Sequence, residues 1–472
     1  DFVVLERARE VGGTWRDNTY PGCGCDVPSH LYSFSFAPNP GWSSTFSGQA
    51  EIQEYIRGVA AREGLLDHLR FGCELEDARW DAPRRTWRLR TSNGRLEARF
   101  LIAGAGPLHE PSIPDIPGLS EFGGTVFHSA SWDHGQDLRG RNVAVVGTGA
   151  SAVQFIPQIQ PEVSRLHVFQ RSAPWIMPRP DRPLTGFEQR LYRRLPAAQR
   201  LMRGAIFWGR ELYALPLLRV ALSPLTRRLA MRHLHRQVPD PELRRRVTPD
   251  YAPGCKRILL SDDYLPALGR PNVELVSGGV AEVREGSIVG TDGIERRVDT
   301  IILGTGFRVT DMPIAERIRD AAGVSLAERW DGSPQAHRGT TVAGYPNLFL
   351  LLGPNTGLGH NSVVVMAEAQ AGYVLQALRR IEADGAVALE VRQEAQERWN
   401  ESVQRRMRGT VWTAGGCQSW YFDRRGRNTA LWPDFSFRFV RALRRFEPAD
   451  HRLIPALPES APAAPLPEPV AA

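Results

Sequence analysis

Asn142-Val-Ala-Val-Val-Gly-Thr-Gly-Ala-Ser-Ala-Val-Gln-Phe-Ile-Pro-Gln-Ile159 is the stretch on which the fold turns. Its opening residues are β-branched and apolar and predict a buried strand over 142–146. A glycine loop follows at 147–152, a helix is predicted over 151–159, and a second strand over 166–170. In that setting a G-x-G-x-x-A match is a dinucleotide site: the glycines let the backbone approach a pyrophosphate, which then sits on the positive end of the helix. The contacts expected from this unit are Gly147, Thr148, Gly149, Ser151, Ala152 and Gln154. The tip of the second strand reads the adenosine ribose, through an acid for NAD or an arginine for the 2′-phosphate of NADP. Phe169-Gln-Arg-Ser172 offers no acid, and Arg171 stands 24 residues after Gly147. NADPH is therefore the expected nucleotide.

Working outward, Gly104-Ala-Gly106 has glycines but runs into Pro107 and Pro111 where a helix would have to begin, so it is not a second such loop. Glu6 ends a strand over 1–6. A carboxylate there accepts hydrogen bonds from ribose hydroxyls of a dinucleotide without a 2′-phosphate, and FAD fits. That strand is already in progress at Asp1, with no initiator methionine, so the first strand and glycine loop of this unit are expected to lie upstream of the chain. A helix is predicted over 48–63, strands over 69–80, 87–91 and 95–100, and a buried strand over 101–106. Further strands are expected at 273–276, 281–283, 287–289 and 297–303, then a buried strand at 347–352 and a helix at 363–381. The Pro- and Ala-rich end, 448–472, reads as a disordered tail.

Composition bounds the answer. The 472 residues, 42% hydrophobic and 24% charged, suit a globular protein of several domains and exclude disordered, collagen-like and coiled-coil chains. No apolar run is long enough for a membrane span. Five cysteines are too few and too irregular for a disulfide scaffold, which makes a reducing cytoplasm the expected compartment. Cys23-x-Cys25 has no companion cluster, so no metal site is expected, and the absence of C-x-x-C argues against a disulfide reductase. Residues 181–250 hold fifteen arginines against six carboxylates, an excess of nine positive charges that exceeds the net +7 of the whole chain. Rich in Leu and Ala, they predict a basic helical insertion. No nucleic-acid motif accompanies it, so solvated helix faces are expected, with weak contact to a membrane surface as the alternative. All the chain's basic residues but one are arginines, and the exception is Lys256, beside Arg257.

Two long patterns carry a family resemblance. Phe122-Gly-Gly-Thr-Val-Phe-His-Ser-Ala-Ser-Trp-Asp133 resembles the F-x-G-x-x-x-H-x-x-x-W-[PD] fingerprint of type I Baeyer–Villiger monooxygenases, through Phe122, Gly124, His128 and Trp132. Gly12-Gly-Thr-Trp15, Tyr20-Pro-Gly22 and Asp26 resemble the same family's [AG]-G-x-W-x4-[FY]-P-[GM]-x3-D pattern. Pro354-Asn-Thr-Gly-Leu-Gly-His-Asn-Ser362 and Ser419-Trp420 are most similar to the 4-hydroxyacetophenone-monooxygenase-like branch.

The resemblance implies an α/β fold with two Rossmann-like dinucleotide-binding domains. An FAD domain would be drawn from 1–140 and 308–447, and an NADP domain from 141–307 would carry the insertion at 181–250. It implies FAD and NADPH as cofactors, O2 and a small-molecule ketone as substrates, and an ester or lactone formed by way of a peroxyflavin. It also implies that Arg257 stabilises the anionic peroxide and that Asp26 orients Arg257. Lys256 would contact the NADP ribose-phosphate. Further cofactor contacts would come from Glu6, Gly13, Thr14, Trp15, Tyr20, Cys25, Asp26, Tyr32, Leu75, Asn361, Ser362 and Trp420. His128 reads more readily as a linker histidine holding two domains in register than as a general base. The alternatives are a flavin N- or S-hydroxylating monooxygenase and an inactive flavoprotein fragment or binding scaffold.

Overall fold

Continuous apolar runs at the centre of the chain are answered by an all-parallel sheet. In a computed structural model that describes residues 1–456, strands Thr125–His128 (β1), Asn142–Val146 (β2), Arg165–Gln170 (β3), Val273–Ser277 (β4) and Thr300–Leu303 (β5) form one sheet in the order β4-β3-β2-β5-β1. Every neighbouring pair is parallel. Both faces are covered, as parallel sheets require, and Val143, Val145, Leu166, Val168 and Ile302 have no exposed surface. Helix α1, Ala150–Ile159, follows β2 through the glycine loop and packs Val153, Phe155 and Ile156 into that core. The outer strand β1 comes from the stretch expected in the first unit, 1–140. Leu303 of β5 registers with His128 of β1, so the five-stranded sheet recruits a strand from before residue 141.

A second core lies around the four-stranded sheet of Leu75–Asp81, Thr86–Thr91, Gly94–Ala98 and Ile318–Arg319, where Trp80 and Trp87 pack with Leu326 and Trp330. Two short parallel pairs stand beside it: Val4–Leu5 with Leu69–Arg70, and Leu101–Ala103 with Leu348–Leu350. The expected strand over 69–80 is broken by a turn at Gly72, whose φ of 61° is left-handed. The buried strand expected over 101–106 is only Leu101–Ala103, and Ile102 is 47% exposed. Alternation of side chains turns Leu101 and Ala103 to the second core and Ile102 away from it.

The two connections between these regions run side by side. Ser112 donates its N–H to the Gly306 carbonyl at 2.8 Å, and Arg308 donates to the Glu110 carbonyl at 3.0 Å. Thr305 Oγ1 donates to the Ser112 carbonyl at 2.6 Å.

The basic segment is helical as expected. Thr185 and Glu188 form a capping box that starts Gly186–Arg194, Pro196 opens α2, Pro196–Tyr213, and Ser223–Gln237 is α3. Ser362 caps α4, Val363–Ala383, by accepting from the Val364 N–H.

The expected tail needs correction. Residues 448–455 are ordered: His451–Pro455 pairs antiparallel with Ala386–Val391, and Leu453 packs on Ile381 and Leu389. The rest of the expected tail, 457–472, lies outside the described residues. Cys255 and Cys417 are joined in a disulfide across 162 residues, whereas Cys23, Cys25 and Cys73 are free. No helix among the described residues is long and apolar enough to cross a membrane.

Candidate functional site

The glycine loop leaves β2 at Gly147, whose φ is 109°. A Cβ there would lie 2.5 Å from the Gly304 carbonyl oxygen, so the two glycine segments approach as closely as only glycine allows. Gly149 is the N-cap of α1 and supplies no side-chain cap, which leaves the amides of the first turn without a side-chain partner. Thr148 Oγ1 donates to the Ser172 carbonyl at 3.3 Å, fastening the loop to the tip of β3. Arg171 is exposed there, with no carboxylate partner among the described residues. Lys256 Nζ donates to Ser172 Oγ at 2.6 Å and lies over the Tyr251 ring. Burial, together with the Arg171 charge, pulls the Lys256 ammonium below its usual range. Two cations and a row of open amides at the carboxyl ends of parallel strands fit the phosphates of NADP.

Gln154, one turn into α1, reaches the aromatic–glycine segment. Its Oε1 accepts from Tyr20 Oη at 2.9 Å and from the Gly24 N–H at 3.3 Å, while its Nε2 donates to the Gly24 carbonyl at 2.9 Å. Ala152 is fully buried behind the loop, against Gly304. Beyond Gly24, Cys25 is buried, and its Sγ accepts from the Val27 N–H at 3.4 Å. Trp15 Nε1 donates to Tyr32 Oη at 3.0 Å, so the two rings are fixed edge to face.

Asp26 and Arg257 meet at the end of this segment. Arg257 Nε donates to Asp26 Oδ2 at 2.8 Å and Nη2 to Oδ1 at 2.7 Å, the two-pronged geometry a guanidinium and a carboxylate share. Arg257 Nη1 donates to the Leu358 carbonyl at 3.3 Å. Burial pushes the Asp26 carboxyl up, but the Arg257 charge and hydrogen bonds outweigh it and hold the group below the usual carboxylate range. The Asp26 charge in turn raises Arg257, which stays charged at every working pH. Arg210 of α2 donates to the Asp26 backbone carbonyl at 3.3 Å. A neighbouring buried cluster was not anticipated. Glu211 of α2 accepts from Asn361 Nδ2 at 2.6 Å and from Ser436 through both its N–H and its hydroxyl. His360 Nε2 lies 3.5 Å from Glu211, and His360 is buried with neither ring nitrogen hydrogen-bonded. One signal was available: Glu211 is the only carboxylate between Glu188 and Asp240.

The remaining expected residues stand apart. Glu6 accepts from the Ala8 N–H at 2.8 Å and pairs with Arg16 at 3.2 Å. Gly13 has a φ of 50° and open space where a Cβ would stand, and Thr14 follows it at the start of a single helical turn. Leu75 opens a strand of the second core and packs there. Trp420 is half exposed and meets Tyr421 edge-on. Asn361 is engaged by Glu211, and Ser362 is the α4 cap. Among the described residues one strand–glycine loop–helix unit is present, at 142–159. Glu6 and the open backbone at Gly13 fit a dinucleotide's ribose end, and the Trp15–Tyr32 and Asp26–Arg257 pairs fit a flavin ring needing a fixed positive charge.

The fingerprint residues sit at the junction. Phe122 is buried, and a Cβ on Gly124 would lie 2.4 Å from the Asp299 carbonyl. His128 Nδ1 accepts from the Ala130 N–H at 3.0 Å, its ring meets Phe307 edge-on, and burial holds its pKa below the usual value. Trp132 packs between Phe127 and Phe155.

A family model described as pyridine nucleotide-disulphide oxidoreductase matches residues 32–192. A Baeyer-Villiger monooxygenase of Streptomyces coelicolor is 51% identical over 456 residues, covering 96% of this chain and 88% of that protein. One from Pseudomonas aeruginosa is 46% identical over 462 residues, covering 96% and 86%. A solved structure of an oxidised steroid monooxygenase bound to NADP superposes with a TM-score of 0.85 at 30% identity, covering 96% of this chain and 94% of that one. With that identity sustained over nearly its whole length, the chain belongs to the Baeyer–Villiger monooxygenase family.

Proposed function

We propose that the chain is an FAD- and NADPH-dependent Baeyer–Villiger monooxygenase that inserts one oxygen atom of O2 beside a ketone carbonyl, giving an ester or lactone. The observation that carries the reading is the Asp26–Arg257 pair, which holds a permanent cation within one loop of the nucleotide cradle. FAD, when bound, supplies the activated oxygen, with NADPH as the source of electrons. Arg257 provides a fixed positive charge for an oxygen that carries negative charge, at no cost in reorganisation. Asp26 aims that charge through two hydrogen bonds. Arg171 and Lys256 hold the nucleotide's phosphates, and the first-turn amides of α1 hold its pyrophosphate. Gln154 ties the cradle to the segment bearing Asp26, so nucleotide position and guanidinium position are set together.

Incubating the FAD-loaded protein with NADPH, a panel of ketones and 18O2 should give esters carrying one labelled oxygen, the other appearing in water. Replacing Arg257 by Ala should abolish ester formation while NADPH oxidation continues and hydrogen peroxide is released. Arg257→Lys should not restore it, because an ammonium lacks the planar fork. Near-parent ketone conversion by the Ala variant would overturn the assignment, and N- or S-oxides as the only labelled products, when amines and sulfides are offered beside the ketones, would replace the reaction.

A further inference from the structure

The outer face of α2 is unusual for a helix beside a candidate active site. Its inner face is engaged: Gln199 and Arg203 hold the 30–39 loop, Arg210 reaches Asp26, and Glu211 reaches Asn361 and Ser436. The opposite face should be polar. Instead Leu201, Trp208 and Leu212, spaced seven and then four residues apart and so on one side of the helix, point to water. Leu201 is 76% and Leu212 69% exposed. The apolar run continues past the end of α2 into α3, where Leu225 is 66% exposed and Leu229, one turn on, more than half exposed.

Charge on the same segment is one-sided. Arg193, Arg194, Arg200, Arg228, Arg232 and Arg236 are all exposed, and none pairs with a carboxylate among the described residues. Elsewhere on the surface arginines are commonly paired, as Arg284 is with Glu282 and Glu295, and Arg317 with Glu74. Between Glu188 and Asp240 the only carboxylate is Glu211, and that one is buried. Such a face would repel a second copy of itself. A nucleic acid would satisfy the arginines and leave the leucines in water.

We infer that the α2–α3 segment docks on an anionic phospholipid surface, with its leucines and Trp208 in the headgroup–acyl boundary and its unpaired arginines on the lipid phosphates. Charge complementarity selects this occupant, because only a lipid surface offers dense negative charge and apolar volume to one helix face. Trp208, half exposed and resting on Phe437, has the amphipathic ring favoured at that depth. The inference stands apart from the proposed reaction, since vesicle binding needs no turnover.

Cosedimentation of the full chain with phosphatidylcholine vesicles, with and without a third of phosphatidylglycerol, tests it. The chain should pellet with the anionic vesicles, stay in solution with the neutral ones, and be released as salt is raised. Leu201→Gln combined with Leu212→Gln should lower the partition coefficient by on the order of tenfold without changing the melting temperature, since both side chains lie in solvent. Arg228→Gln combined with Arg232→Gln should lower it by about fivefold for each charge removed. Failure to bind anionic vesicles would overturn the inference, and so would binding that the leucine variant leaves unchanged. A lipid-free dimer that the leucine variant dissociates would assign the face to a second copy instead.

Discussion

Replacing Asp26 by Asn leaves the volume of the side chain intact and removes its charge. The carboxylate accepts two bonds from Arg257, at 2.8 and 2.7 Å. An amide offers one accepting oxygen and turns an NH2 toward the other guanidinium N–H, so one bond becomes a donor–donor contact. A hydrogen bond to a charged group contributes about 1.5–3 kcal/mol. Here the two side chains keep 30% and 25% of their surface, so water screens part of the loss. The net cost is roughly 2–3 kcal/mol, and Arg257 keeps one bond to the amide oxygen and the Leu358 carbonyl as its anchors. If that energy held the guanidinium in its working position, ester formation should fall about 30- to 140-fold, at about 1.4 kcal/mol per tenfold. NADPH oxidation, followed separately by absorbance, should stay within about threefold, since the nucleotide cradle does not use Asp26. The pH dependence follows from the depressed Asp26 carboxyl. Its contribution is complete above the usual carboxylate value and is lost only as pH falls through the lower folded value. Across neutral and alkaline pH, then, the ratio of variant to parent product, measured by gas chromatography, should be flat. A variant that makes ester at the parent rate, or whose deficit varies between neutral and alkaline pH, would refute the reasoning.

Three further outcomes are expected. Arg171→Ala should raise the Michaelis constant for NADPH by about tenfold and leave that for NADH within twofold, as steady-state kinetics with both nucleotides will show. Gly147→Ala, which forces a Cβ against the Gly304 carbonyl at a left-handed φ, should weaken NADP+ binding by roughly tenfold or more in calorimetric titration; unchanged affinity would contradict the close approach. For Glu211, burial raises the carboxyl, but His360, Ser436 and Asn361 hold it below its usual range, so its contribution to stability is present above about pH 4.3 and lost as pH falls through the lower folded value. Glu211→Gln should therefore melt lower than the parent at neutral pH, with the gap closing in acid; a gap that persists unchanged there would count against the charge.

What was legible in the sequence was local. The strand, loop and helix at 142–159 are one continuous stretch whose apolar pattern and glycines need no distant partner, and they appear nearly where expected. Asp26 and Arg257 are 231 residues apart, and no periodicity joins them; only motif resemblance put them on one page. Glu211 with Asn361, and Cys255 with Cys417, meet because helices and loops from distant segments pack together, which composition cannot report. The strand at 451–455 was hidden by the prolines around it, and Ile102 by an apolar run whose two faces end in different surroundings.

The paired connections at 110–112 and 305–308 have a mechanical consequence. A single linker is a swivel, free to turn about several axes. Two linkers hydrogen-bonded side by side behave as the leaves of a door hinge, stiff to twist and to slide and soft only to bending across the pair. His128 and Phe307 sit edge to face where the two leaves meet the sheet, as a pin would. Bending across the pair is limited further by the Cys255–Cys417 disulfide, which ties the residue two before Arg257 to the chain beyond the second linker. Gln154 and Arg257 both bind the aromatic–glycine segment, so that segment is the strut between the nucleotide cradle and the fixed cation.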